Sequence, residues 1–319
     1  MVSTQPAVEA RGLVKRFGNI TAVAGMDLHV DVGEVYGILG PNGAGKTTFM
    51  RMLFGLIRPD AGDLRIYGRS WPVAGPRTLD GVAGFVETPR FYPYLSGRVN
   101  LALLAGLDGG AHTGRIDQVL DIVDLLGREQ DKVGGYSLGM RQRLGVAASL
   151  LRDPKLLVLD EPANGLDPAG IRDMRALVHR LGASGLTVLL SSHNMDEVEE
   201  ICDNVTIMNT GTVVFHGSIT ELRTRAPDPS HRMETSDDVY AVSVAKDHPG
   251  VLLDTHEDGG LSVHGQREAV DAYVVALGNA GVAIRSLVLE VLPLESLFFL
   301  LTDHQRVLPG QTRTGTVTR

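Results

Sequence analysis

Short apolar runs of period two, or continuous ones, predict strands over residues 7–14, 26–31 and 34–39. Asp31-Val32-Gly33 has turn chemistry and suggests that the last two form a hairpin. A glycine-rich loop over 40–45 leads into a helix from Lys46 to about Phe54, which ends near Gly55 and Pro59. Residues 63–67 and 81–86 read as two more strands. The period then changes to that of helices. Ser96 caps one that ends near Leu107. Thr113 caps a second, with Ile116, Val119, Leu120 and Val123 on one face and Gly127 at its stop. Ser137 caps a third over 138–151. Beyond Pro154, the unbroken apolar run 156–159 has the character of a strand buried on both faces. A helix over 168–182, a strand over 187–191 and a helix over 195–202 complete an alternation that argues for a parallel α/β sheet.

The pattern changes at Arg225-Ala226-Pro227-Asp228-Pro229-Ser230. Residues 225–237 read as a linker between a large domain over 1–224 and a small α+β domain over 238–303. Within the latter, strands are predicted near 239–244, 251–254, 260–263 and 282–291, with a helix over 268–277. Residues 304–319 are polar, carry three arginines and no acid, and read as a disordered tail.

Composition narrows the function classes. The formal net charge is −8, which opposes general nucleic-acid binding, so no nucleic acid is expected as a partner. A single cysteine, Cys202, excludes an intrachain disulfide and a cysteine-built zinc cluster. The most apolar stretch, 286–301, is interrupted by Glu290, Pro293 and Glu295, so no membrane-spanning helix is expected. Residues 1–9 lack the basic and apolar runs of a signal peptide.

Two segments carry the chemistry. Gly40-Pro41-Asn42-Gly43-Ala44-Gly45-Lys46-Thr47 fits G-x-x-x-x-G-K-[ST] between a predicted strand and a predicted helix. Glycines there let successive N–H groups converge on phosphate oxygens, and the helix start behind them adds a favourable dipole. Lys46 is a point charge for the β- and γ-phosphates, and Thr47 offers a hydroxyl to Mg²⁺. The second segment is the apolar run 156–159 followed by Asp160, Glu161 and Pro162. Carboxylates just past a buried parallel strand lie at the sheet edge where ligands bind. Asp160 is placed to hold Mg²⁺, and Glu161 to orient and deprotonate a water.

These segments, with the stretch between them, resemble the ATP-binding subunits of ABC transporters over roughly residues 8–224. Tyr136-Ser137-Leu138-Gly139-Met140-Arg141-Gln142-Arg143 is similar to the family's signature motif and keeps its serine and second glycine as Ser137 and Gly139. The resemblance implies a P-loop NTPase core with an antiparallel β subdomain and a helical subdomain. It implies ATP and Mg²⁺ as cofactors, with Thr48 joining residues 40–47 at the phosphates. Ser137 and Gly139 would cap the ATP held by a second copy. Asn164-Gly165-Leu166-Asp167-Pro168 looks like the family's D-loop, which would bring Asp167 to the partner copy. Ser191-Ser192-His193 looks like its switch segment, which would set His193 at the γ-phosphate, and Phe17 matches the adenine-stacking position, with a core aromatic as the alternative.

One departure stands out. Glu87 occupies the place of the family's usual glutamine, as in a subgroup of bacterial exporters linked to bacitracin, lantibiotics and other antibiotics. A carboxylate there would either strengthen metal binding or slow hydrolysis. Phe91, Tyr92 and Tyr94 follow it and suggest a docking surface, or simple packing. The segment 294–302 resembles the closing segment of drug-exporting subunits and reads structurally as a packed amphipathic helix. The implied partners are a second nucleotide-binding subunit, as a homodimer, and a separate integral membrane permease that holds the chain at the cytoplasmic face of the membrane. The alternatives are an ABC importer subunit and an ABC ATPase that works on ribosomes or nucleic acid.

Overall fold

The computed structural model describes residues 5–107, 110, 112–256 and 259–302. The tail expected over 304–319 lies outside them. The chain divides into two compact units, Met1–Ile219 and Thr220–Arg319.

The first unit opens with β1 (Val8–Phe17) and β2 (Ile20–Val30), followed by β3 (Val35–Leu39) and α1 (Lys46–Leu53). Next come β4 (Ala61–Ile66), the two-residue β5 (Arg69–Ser70), the short α2 (Trp71–Ala74) and β6 (Val82–Phe85). Three helices follow, α3 (Gly97–Leu107), α4 (Ile116–Ile122) and α5 (Leu138–Leu150). The unit continues through β7 (Leu156–Leu159), α6 (Pro168–Ala183), β8 (Thr187–Ser192), α7 (Met195–Ile201), β9 (Asn204–Asn209) and β10 (Thr212–Ser218). These strands make two sheets. One is antiparallel in the order β2-β1-β4-β5, and the other runs β10-β9-β3-β8-β7-β6. In the second, β9, β3, β8, β7 and β6 are parallel and β10 is antiparallel to β9.

The hairpin expected across Asp31-Val32-Gly33 does not form. β2 pairs with β1, with Val30 opposite Val8, whereas β3 enters the larger sheet between β8 and β9. Burial explains the divergence. β2 buries alternate residues, Met26, Leu28 and Val30, as a strand with one wet face does. Every residue of β3 is buried, which only a strand covered on both faces allows. The corner is held by the Asp31 N–H donating to Glu34 Oε1 (2.5 Å) and the Gly33 N–H to Thr187 Oγ1 (2.9 Å). Between the sheets, Met26, Leu28, Ile38, Phe49, Met50, Leu53 and Ile66 share one core. Sequence periodicity missed β9 and β10, which join through Thr210 and Gly211, both at positive φ. Thr113 does not cap α4. Residues 113–115 form a 3₁₀ turn, and the Thr113 hydroxyl donates to the Gly110 carbonyl (2.9 Å).

Gly84 in β6 shows how tightly the parallel sheet is laid. Its φ is +149°, and a Cβ there would stand 1.8 Å from the Val158 carbonyl oxygen of β7. Gly84→Ala is therefore expected to lower unfolding free energy by on the order of 3 kcal/mol, since the clash is with backbone and β7 cannot yield. Denaturant unfolding measures it, and a loss under about 1 kcal/mol would contradict this packing.

In the second unit, α8 (Ile219–Thr224) is followed by β11 (Ser230–Thr235), α9 (Asp238–Ala245), β12 (Val251–Thr255), β13 (Leu261–Gly265), α10 (Arg267–Asn279), β14 (Ile284–Val291) and α11 (Pro293–Thr302). Its antiparallel sheet runs β12-β13-β11-β14 around a core of Met233, Ala241, Val251, Leu261, Val263, Tyr273 and Leu277. Two expectations are corrected here. β11 lies inside the stretch read as linker, and 239–244 is helical rather than extended. The valines of α9 carry strand propensity, but the Asp237 side chain accepts from the Tyr240 N–H (2.9 Å) and nucleates a helix. α11 buries Leu294, Leu297 and Phe298 on one face, as an amphipathic packed helix does.

Candidate functional site at the carboxyl edge of the parallel sheet

The loop over 40–45 leaves the carboxyl end of β3 and turns into α1. Gly45 takes φ +106°, and a Cβ there would lie 2.2 Å from the Ala22 carbonyl oxygen. At Gly40 it would lie 2.4 Å from the Met208 carbonyl oxygen. Only glycine lets the backbone pass between β2 and β9 at these points. No side chain caps the start of α1, and no acid stands in its first turn. α5, α6, α7 and α9 are each capped by a side chain at this position. The open N–H groups of α1 and its dipole suit an anion.

Lys46 is 4 % exposed and folds back over the loop. Its Nζ donates to the carbonyls of Gly40 (2.7 Å) and Pro41 (3.2 Å) and pairs with Glu161 Oε1 at 3.0 Å. Glu161 follows β7 with φ +49°. Its second oxygen, Oε2, lies 2.5 Å from His193 Nδ1. One carboxylate thus bridges the lysine of β3's loop and the histidine that follows β8. Thr47 and Thr48 are half-buried beside Lys46 in the first turn of α1, and Pro41, Asn42, Gly43 and Ala44 complete the loop.

Asp160 is buried, and its Oδ1 accepts from the Ser191 hydroxyl (2.6 Å). The other oxygen accepts from no described residue. One buried carboxylate oxygen and a threonine hydroxyl are hard oxygen donors and fit Mg²⁺. Among the described residues no group of three or more His, Cys, Asp or Glu side chains is placed to hold a metal. Glu87, the third residue expected at the metal, has a partner of its own. Its carboxylate is exposed and pairs with the Arg51 guanidinium on α1, the nearest cation offered to it.

Ser137 stands at the start of α5 and accepts from the Met140 N–H (3.2 Å), which leaves its proton free to donate outward. A Cβ on Gly139 would meet Leu166 at 3.8 Å and Ser137 Oγ at 3.9 Å, ordinary contacts. Packing within the chain therefore does not require glycine there. Asp167 caps α6 by accepting from the Gly170 N–H (3.0 Å), with Pro168 in the first turn. Phe17, at the end of β1, is 48 % exposed, with Lys15 Nζ 5.4 Å from its ring centre. The core-aromatic alternative for Phe17 is thereby excluded. Tyr36 Oη, in β3, is buried against Thr206 Oγ1 (2.7 Å) and His216 Nδ1 (2.8 Å), and desolvation raises its pKa well above the usual phenol. Sequence reasoning missed one residue that the site uses, Ser191. The signal for Ser191 was a hydroxyl at the end of an otherwise apolar strand.

A phosphate-binding loop at the carboxyl edge of a parallel sheet, facing acids from another strand of that sheet, is the arrangement of P-loop nucleotide hydrolases. Residues 23–164 match the family described as "ABC transporter". Over 271 residues the chain is 36 % identical to the bacitracin transport ATP-binding protein BcrA of Enterococcus faecalis, covering 85 % of this chain and 88 % of that one. Over 323 residues it is 34 % identical to the daunorubicin/doxorubicin resistance ATP-binding protein DrrA of Streptomyces peucetius, covering 95 % of each. A solved structure described as an ATP-binding subunit of an ABC transporter matches with a TM-score of 0.60 and 28 % identity, over 69 % of this chain and 92 % of that one. The chain belongs to the ABC transporter ATP-binding family, whose cassettes bind and hydrolyse ATP.

Proposed function

We propose that this chain is the energy-coupling ATPase subunit of an exporter. Two copies close around two Mg-ATP, and closure drives a separate integral membrane permease that exports an antibiotic, a peptide or another amphipathic compound. The observation that carries the reading is the meeting of Lys46, Glu161 and His193 at the open start of α1. Export is favoured by the transport and resistance activities named for the relatives.

In this reading residues 40–48 bind the phosphates through backbone N–H groups, Lys46 and the threonine hydroxyls. Phe17 stacks on adenine. Thr47 and Asp160 hold Mg²⁺, which supplies charge neutralisation on the phosphates. Glu161 takes a proton from the attacking water at Oε1 or Oε2, and His193 donates to the γ-phosphate. Ser137 and Gly139 cap the ATP of the other copy, beside its loop at Asp167. No described helix is long and apolar enough to cross a membrane, so contact with a bilayer would run through the permease.

A surface suits that partner. A cleft of about 490 Å³ is lined by Phe85, Pro89, Phe91, Leu104 and Gly145 among others. Tyr92 and Tyr94 stand exposed nearby with ring centres 5.8 Å apart. The Asn100 side chain clamps the Tyr92 backbone from both sides, accepting from its N–H (2.9 Å) and donating to its carbonyl (3.1 Å). These rings are thus presented on a fixed backbone, as docking anchors are.

The test is a pull-down of the Glu161→Gln variant from its own cells with ATP and Mg²⁺. A multi-spanning membrane protein in near-equal amount is expected. Ribosomal proteins or nucleic acid in its place would overturn the transporter reading, and a permease that works with a substrate-capturing protein would point to import.

A further inference from the structure

We infer that Ser191 is a positioning residue for ATP hydrolysis, which fixes the metal-holding carboxylate and the base in one geometry. The inference rests on the assignment of Asp160 and Glu161 made above. β7 and β8 are parallel with Leu159 opposite Leu190, so the next pair along places Ser191 beside Asp160. The Ser191 side chain is fully buried. Its hydroxyl donates to Asp160 Oδ1 (2.6 Å) and accepts from the Glu161 N–H (3.0 Å).

The direction of both bonds is forced. An ionised carboxylate only accepts and a backbone N–H only donates, so the single serine proton goes to Asp160. The first bond fixes which carboxylate oxygen remains for a cation. The second holds the Glu161 backbone at φ +49°, a conformation that non-glycine residues rarely adopt. That conformation turns the Glu161 carboxylate toward Lys46 and His193. Through one hydroxyl, the orientation of the metal ligand and that of the base are linked. Partners of this kind, bonded to a metal ligand and not to the metal, commonly change metal affinity or activity by about 10–100-fold when removed.

The experiment compares the full-length wild type with Ser191→Ala and Ser191→Thr, and uses Asp160→Asn and Glu161→Gln as references. Mn²⁺ binding in the presence of ADP is followed by electron paramagnetic resonance, and kcat and KM for ATP are measured separately. Ser191→Ala is expected to weaken Mn²⁺ binding about 10-fold and lower kcat about 10-fold or more, with KM for ATP within about 3-fold. Ser191→Thr keeps the hydroxyl and is expected to restore Mn²⁺ binding and kcat. Ser191→Cys, close in volume but a weak donor, gives the same readings as Ser191→Ala should the alanine variant not fold. A lower melting midpoint with unchanged Mn²⁺ affinity and kcat, while Asp160→Asn still loses both, would make Ser191 a packing residue and overturn the inference. Wild-type turnover in Asp160→Asn and Glu161→Gln would overturn the assignment beneath it.

Discussion

Glu161→Gln is expected to keep nucleotide binding and lose turnover by about 10²-fold or more. The amide preserves the shape of the side chain but cannot take a proton from water. The structure adds a second expectation. In the structure Lys46 Nζ is paired with Glu161 at 3.0 Å, with both groups largely out of water. ATP must draw Lys46 away from that carboxylate before the lysine can serve its phosphates. With glutamine the competing charge is gone, so the variant is expected to bind ATP several-fold more tightly than the wild type. A fluorescent nucleotide titration and a phosphate-release assay on the same preparation separate the two effects. Unchanged turnover would remove Glu161 as the base, and weakened ATP binding would remove the competition.

Lys46→Ala is expected to weaken ATP binding by about 10²-fold or more, with turnover lost at any practical ATP concentration. Three acceptors converge on this ammonium, and alanine leaves the Gly40 and Pro41 carbonyls and the Glu161 carboxylate without it. Glu161 then faces the incoming phosphates as an unbalanced negative charge. The double variant Lys46→Ala with Glu161→Gln should recover part of the lost affinity, because the repelling charge goes too. Isothermal titration of all four proteins gives the cycle, and additive losses would show that the two side chains do not interact. Lys46→Arg is not expected to substitute, since a planar guanidinium does not fit where the ammonium is 4 % exposed.

The parts of the site legible in the sequence were those fixed by local rules. The phosphate loop has a spacing dictated by backbone geometry, and the acids follow an apolar run whose burial on both faces is confirmed. Ser137 was readable as a cap because capping is a matter of a few neighbouring residues. What escaped depends on pairing between distant strands. Residues 26–39 carried a turn signal, but β2 and β3 separate because their burial requirements differ. The 239–244 valines read as a strand until the Asp237 cap is known. The pairing of Glu87 with Arg51 was not legible either, because the two lie 36 residues apart. Ser191 looked like part of a strand end, because its two partners lie 31 and 30 residues upstream.

The strand order also works as a ruler. β8 lies between β3, which carries the phosphate loop, and β7, which carries the acids. Adjacent strands sit about 4.8 Å apart, so one interposed strand sets the two halves roughly 10 Å from each other. Lys46 and Glu161 reach toward each other across that distance and meet at 3.0 Å. Were β3 and β7 neighbours, the gap would halve, and the acids would occupy the room a phosphate chain needs. The width of the site is thus an integer multiple of a backbone spacing. Side-chain substitution can retune the charge and reach of this edge, but only a change of topology could resize it.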